Sequence, residues 1–232
     1  MKFFSTGEHA LANGIKVCVY GNTAVGKTRL IATAPRPYIL SVEGGTLSIA
    51  RENIKGQVIT SLKDLIDAYT WIISSTEARN YDTICLDSIS EMAEIFLANG
   101  LTTLKDGRAA YGEMQTQLGT QVRLFRDLPG KHVYFTAKAA TKKQPDGTEL
   151  YTASLPGQTA SQSIPYPFDE FFYMGVAEAP GADGKLIRYN YLQTSRDVRY
   201  EAKDRSGALD FIERPDLSYI FNKIRAFYSV RI

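Results

Sequence analysis

The segment Gly21-Asn22-Thr23-Ala24-Val25-Gly26-Lys27-Thr28 constrains this chain more than any other part of it. It satisfies G-x-x-x-x-G-K-[ST] at every fixed position. It follows a short apolar, β-branched run at residues 15–20 and precedes a stretch of helical character that ends before Pro35. Glycines let the backbone curl around phosphate groups, so that the amides of Ala24 to Thr28 and the positive end of the helix dipole face the anion. Lys27 then reaches the β and γ phosphates while the Thr28 hydroxyl ligates Mg²⁺. The pattern implies ATP, or a close nucleoside triphosphate, held with Mg²⁺ by Gly21 through Thr28 and the adjacent Arg29.

Downstream, apolar runs alternate with amphipathic stretches. Residues 38–42 read as a second strand ending at Glu43-Gly44-Gly45. Ser61 caps a helix whose apolar face is Leu62, Leu65, Ile66, Tyr69, Ile72 and Ile73, with Asp64 three residues past the cap. Residues 83–86 form a third strand ending in Asp87, followed by a helix over 88–99 closed by Gly100. Met114, Leu118, Val122, Phe125 and Leu128 mark a further helix stopped by Pro129-Gly130, and residues 132–137 give a fourth strand. Strands and helices in this alternation predict an α/β fold with a mainly parallel central sheet and helices on both faces. A polar connection over 138–165 leads to two strand-like segments near 168–176 and 186–194, joined by PGADGK with hairpin turn chemistry. A last helix carries Leu217, Ile220, Phe221, Ile224 and Tyr228. The chain reads as a single domain over 1–232.

A net charge of +2 gives no overall field to draw nucleic acid, so any such contact has to be local. Residues 1–14 lack the apolar core of a signal peptide and no run has the length of a membrane span, so a soluble intracellular protein is expected. Cys18 and Cys85 lie inside apolar runs and read as core residues of a reducing compartment. His9 and His132 are far apart and no Cys/His cluster accompanies them, which argues against a protein-ligated zinc site.

Asp87 closes the apolar run TICL, the position of the second Mg²⁺ carboxylate beside a phosphate loop. Many such ATPases follow that Asp with a catalytic Glu, but here the next residue is Ser88. Another carboxylate has to orient the attacking water. Glu43 is the leading candidate because it ends the strand after the phosphate loop, on the sheet edge where the loop and Asp87 converge. Glu91 is the alternative, one helical turn beyond Asp87, and Thr136 or Lys138 at the end of the fourth strand could sense the γ-phosphate.

Taken together, GNTAVGKT, YILSVEGG, YDTICLDSISEM, YGEMQTQL with HVYFTA, LPGQTASQSIPYPFDEFFYM and EAKDRSG resemble the RecA-like AAA-type ATPases encoded by phages, over residues 15–225. Some members of that group are Sak-type single-strand annealing proteins. The resemblance implies a RecA-like P-loop fold, ATP hydrolysis with Glu43 activating water, and a homo-oligomer, ring or filament, on single-stranded DNA. The resemblance further implies a phage single-strand-binding protein as a partner, no membrane, and the cytoplasm of the bacterial host as the location. It also implies that Lys203 and Arg205 reach the γ-phosphate of a neighbouring subunit, where cations stabilise charge on the transferred phosphoryl.

In RecA-like proteins two loops touch DNA, and the matching segments are 101–111, with Lys105 and Arg108, and 138–165, with Lys138, Lys142 and Lys143. Tyr111 or Tyr151 could stack on a base. Tyr166, Phe168, Phe171, Phe172 and Tyr173 read instead as strand core. The rival reading is an ATP-switched loader or replication accessory protein without annealing activity. A P-loop small-molecule kinase ranks below both, because no Arg-rich lid follows the core.

Overall fold

All six residues of Lys16–Gly21 (β1) are buried, and a strand buried on both faces belongs inside a sheet with partners on both edges. The computed structural model describes residue 6 and residues 12–181 and 184–229, and places β1 in that position. It pairs in parallel with His132–Lys143 (β5) on one side and Glu170–Pro180 (β7) on the other. Beyond β5 follow Thr83–Asp87 (β4), Pro37–Ser41 (β2) and the short Gly56–Val58 (β3), all parallel. Beyond β7 come Leu186–Gln193 (β8) and Ile212–Glu213 (β10), each antiparallel to its inner neighbour. Glu149–Ala153 (β6) folds back on the outer part of β5, and Lys203–Asp204 (β9) on the start of β7. A mainly parallel α/β sheet with helices on both faces, a C-terminal hairpin and a C-terminal helix is the fold of this chain.

Helices cover both faces. On one lie Leu62–Ser74 (α2), Ile89–Thr103 (α3) and Gly107–Arg126 (α4). Their Leu65, Ile72, Met92, Phe96, Met114 and Phe125 join Leu40, Leu86 and Phe135 of the sheet in one core. On the other lie Lys27–Leu30 (α1) and Leu217–Ser229 (α6), whose Leu30, Leu217, Ile220, Phe221 and Ile224 pack with Val17, Val19 and Tyr134. Each such side chain, fully buried, contributes about 1.5–3 kcal/mol. Phe168, Phe171, Phe172 and Tyr173 are core as expected, whereas Tyr166 is exposed. Both cysteines are buried and free. His9, and residues 182–183 of the PGADGK turn, lie outside the described residues. The turn's remaining residues close it through Gly181 N–H to Lys185 O at 2.7 Å.

Several boundaries move. Ser61 Oγ accepts from Asp64 N at 3.1 Å as the cap pattern requires, but the Asp64 carboxylate accepts from Thr60 N at 2.9 Å, one residue earlier than a standard box. Ile66 and Ile73 are exposed, because the helix buries a narrow stripe of Leu65, Ala68 and Ile72. Gly100 does not end its helix, which runs on to Thr103. There a Cβ would come within 3.2 Å of the Ala110 Cβ, so the glycine serves the close crossing of α3 and α4 instead of a C-cap. Residues 101–111 are therefore mostly helical, with Asp106 capping α4. The stretch 138–165 is not a loop either. The strand β5 continues to Lys143, turns through 144–148 into β6, and is followed by the short helix Gln158–Ser163 (α5). The outer half of β5 is polar and only partly buried, and that hides its strand character from a search for apolar runs.

Candidate functional site

The phosphate loop leaves β1 at Gly21 and enters α1 through Gly26, whose φ of 97° is open to glycine at little cost. Asn22, Thr23 and Ala24 are exposed at its tip, Val25 is buried in the core beneath, and Arg29 is exposed on α1. The helix is shorter than its sequence suggests: α1 has four residues and gives way to a 3₁₀ turn at Ile31–Thr33. A single turn has only a small dipole, so the loop amides and Lys27 dominate the cradle. Lys27 Nζ donates to Gly21 O at 2.8 Å and Asn22 O at 2.9 Å. Burial lowers its pKa, opposed by the nearby charges of Glu43 and Asp87. Both carboxylates therefore act on the same ammonium.

Asp87 is the hub. It is buried at the end of β4, and the Thr28 hydroxyl donates to its Oδ2 at 2.8 Å. Its Oδ1 accepts from the hydroxyl of Thr136, a residue of β5, the strand that separates β4 from β1. The Asp87 carbonyl accepts from Val42 N at 2.7 Å and Glu43 N at 3.2 Å, which ties the turn after β2 to the end of β4. That turn delivers Glu43, whose Oε1 accepts from the Ser88 hydroxyl at 2.8 Å. Ser88 also caps α3, accepting from Glu91 N at 3.3 Å, and the Asp87–Ser88 peptide is cis. The residue that occupies the expected glutamate position thus holds the carboxylate of another strand.

The donors suit a hard divalent cation: a hydroxyl and a carboxylate oxygen side by side, with no thiolate or imidazole. Among the described residues no group of three or more His, Cys, Asp or Glu side chains is placed to hold a metal. That fits Mg²⁺, which takes one or two protein oxygens and fills its shell with phosphate and water. Thr28 and Asp87 are the residues that would hold it.

The other sequence candidates fall elsewhere. Glu91 and Glu94 both accept from Lys138 Nζ, at 2.7 and 3.0 Å, so Glu91 and Lys138 neutralise each other. Lys142 and Lys143 stand on the β5–β6 hairpin and Lys105 in the turn between α3 and α4, with Arg108 exposed in the first turn of α4. The Tyr111 ring lies within 3.4 Å of where a Gly157 Cβ would be, so the start of α4 adjoins the segment after β6. Lys203 and Arg205 lie beside the start of β7, at the opposite end of the sheet from the phosphate loop. Lys203 Nζ donates to the carbonyls of Pro165, at 2.7 Å, and Phe168, and Arg205 donates to Asp169 Oδ1 at 3.1 Å and Tyr166 O at 3.0 Å. Within one subunit neither reaches the loop. Two contacts had no announcing pattern: Ser88 with Glu43, and Asn190 of β8, whose side-chain amide donates to Val25 O. Only the interrupted apolar alternation of β8 hints at the latter.

A phosphate loop entering a helix from a central parallel strand, with a buried Asp on a nearby strand bonded to the loop threonine, defines a P-loop ATPase domain. The model of a family described as an AAA domain matches residues 13–206, and the chain belongs to that family. Among solved structures it is similar to a KaiC-like protein of the hyperthermophilic archaeon Pyrococcus horikoshii OT3. The identity is 15%, with 82% of this chain and 84% of that one covered and a TM-score of 0.41. No curated protein matches it. Among the described residues no helix is long and apolar enough to cross a membrane.

Proposed function

We propose that this chain hydrolyses ATP with Mg²⁺, using Glu43 to orient and deprotonate the attacking water, and that it does so as a homo-oligomer on single-stranded DNA in the annealing step of phage recombination. The observation that carries the hydrolytic part is the junction at Asp87, where its side chain takes Thr28 and its carbonyl takes the backbone amide of Glu43. Metal-binding oxygens and a general base are thereby gathered on one edge of the sheet. Ser88 fixes one Glu43 oxygen and leaves the other to accept a proton, while Lys27 supplies positive charge to the phosphates. Bound Mg²⁺ would neutralise charge on the β and γ oxygens.

The oligomeric part is supported by the separation of Lys203 and Arg205 from the loop of their own subunit. Head-to-tail stacking brings one end of a sheet against the other end of its neighbour's, so a basic pair at the far end suits a trans contact. Arg205 is the freer of the two, being half-exposed, whereas the Lys203 amine is tied to backbone carbonyls. The DNA part rests on the resemblance and on Lys105, Arg108, Lys142 and Lys143. Phosphate contacts from such cations weaken steeply with salt.

Hydrolysis measured with and without single-stranded DNA at rising salt tests the whole reading. Stimulation that fades with salt is expected, whereas turnover indifferent to DNA would overturn the annealing role and favour an ATP-switched loader. Glu43→Gln is expected to keep ATP binding and lose roughly 10²–10⁴-fold in kcat. Unchanged turnover in that variant would move the base elsewhere.

A further inference from the structure

Two residues of the β7–β8 hairpin lie directly against the phosphate loop. A Cβ on Gly21 would come within 2.6 Å of the Met174 carbonyl oxygen. One on Gly26 would come within 3.0 Å of Asn190 Nδ2 and 3.3 Å of Met174 Cε. Asn190 is half-buried on β8, in register with Val176, and its amide donates to the Val25 carbonyl oxygen. The two glycines thus admit the hairpin as well as the phosphates.

In a planar trans peptide the carbonyl oxygen and the amide hydrogen point to opposite sides. Drawing the Val25 oxygen toward β8 therefore turns the Gly26 N–H away from β8, toward the phosphate side of the loop. The neighbouring bonds do not fix this peptide: Lys27 Nζ grips the carbonyls of Gly21 and Asn22, and Leu30 N bonds the carbonyl of Gly26. Gly26 sits at φ 97°, and a peptide beside a glycine reorients at little steric cost. Its direction has to be set from outside the loop.

We infer that Asn190 is a positioning residue for triphosphate binding: from β8 it pins the Val25 carbonyl and so presents the Gly26 N–H to the phosphates. This rests on the loop being the nucleotide site. The role concerns recognition of the bound phosphates and not the reacting water, which the proposed function assigns to Glu43. Losing the contact should weaken ATP and ADP alike and leave the chemical step in place.

The test compares the full chain with Asn190→Ala and with Asn190→Asp, which keeps the shape but sets an oxygen against the carbonyl. A fluorescent ATP analogue with Mg²⁺ and competition by ADP give affinities, melting temperature reports the fold, and steady-state hydrolysis separates KM from kcat. For Asn190→Ala we expect about tenfold weaker ATP and ADP, KM raised to match and kcat within about twofold, with Asn190→Asp weaker still. Affinities within about twofold of the unaltered chain in both variants overturn the inference, whatever happens to the melting temperature. A raised KM accompanied by an equal loss of kcat also overturns it. If the unaltered chain binds no nucleotide, the reading of the loop itself falls, a result separable from failure at Asn190.

Discussion

The two ends of the parallel strands answer charged side chains with different partners. At the carboxyl ends Asp87 is met by the hydroxyls of Thr28 and Thr136, and Glu43 by the hydroxyl of Ser88. At the amino ends the buried Lys16 amine is fixed to the carbonyls of Asn13, Leu128 and Lys131, and Lys203 to those of Pro165 and Phe168. A hydroxyl rotates and both donates and accepts, so it can hand a carboxylate over to a cation or a water. A backbone carbonyl held in a strand or turn cannot. The two carboxylates of the carboxyl end are thus held by partners that can be exchanged, while Lys27 beside them rests on the carbonyls of Gly21 and Asn22 much as the amino-end lysines rest on theirs. Burial tells the same story: it drops Lys16 to about 8 and His132 to about 4, and lifts Glu170 to about 9.

The sharpest break of this contrast is Asp87→Asn, which keeps the size of the side chain and removes its charge. Hydrolysis should fall by roughly 10³-fold or more, since the proposed Mg²⁺ site would lose the Asp87 carboxylate, while the melting temperature moves by a few degrees at most. A large loss of stability would show that Asp87 is structural. Lys203→Met should act first on stability, and on hydrolysis only through the trans contact proposed above. It strips donors from buried carbonyls and should cost about 1–3 kcal/mol in chemical denaturation. If it melts normally and lowers hydrolysis only in mixed or assembled subunits, the amino end takes part in exchange after all.

The smallest effect concerns pH. Glu170 is raised from 4.5 to about 9, by burial first and then by the neighbouring Asp204 and Asp169, so the folded chain holds a proton that the unfolded chain releases. Its contribution is fully present below pH 4.5 and is lost as pH rises toward 9. Glu170→Gln, which mimics the protonated form, should flatten the fall in melting temperature expected of the unaltered chain between pH 6 and pH 8.5, a change of roughly 5 °C. Parallel curves for the two proteins would place the alkaline sensitivity in another group. His132 has the opposite sign, with its stability lost as pH falls from 6.5 toward 4.

What could be read from the sequence follows the range of the interactions. The β1 strand, the phosphate loop and the Ser61 cap are local patterns, and each is present in the structure. The position of Glu43 beside Asp87 was legible because strand ends in a parallel sheet converge on one edge, although the hydroxyl that holds it comes from Ser88, where a glutamate was expected. Long-range packing could not be read: Gly100 looks like a helix stop until Ala110 is beside it. The β5–β6 hairpin was hidden for another reason. Its outer part carries Lys142 and Lys143 and is only partly buried, so polar composition pointed to a loop where cross-strand pairing had made a strand.

The placement of β5 between β1 and β4 has a consequence for how the protein comes into being. A chain emerging from the ribosome has exposed Gly21 to Thr28 and Asp87 long before residues 132–138 are made, yet without that strand the other two have no common sheet. Thr28 and Asp87 can meet only once the middle strand has slotted in and brought Thr136 with it. A nascent chain that stops short of residue 132 therefore has every residue of the phosphate and metal motifs but lacks the strand that joins β1 to β4 in one sheet.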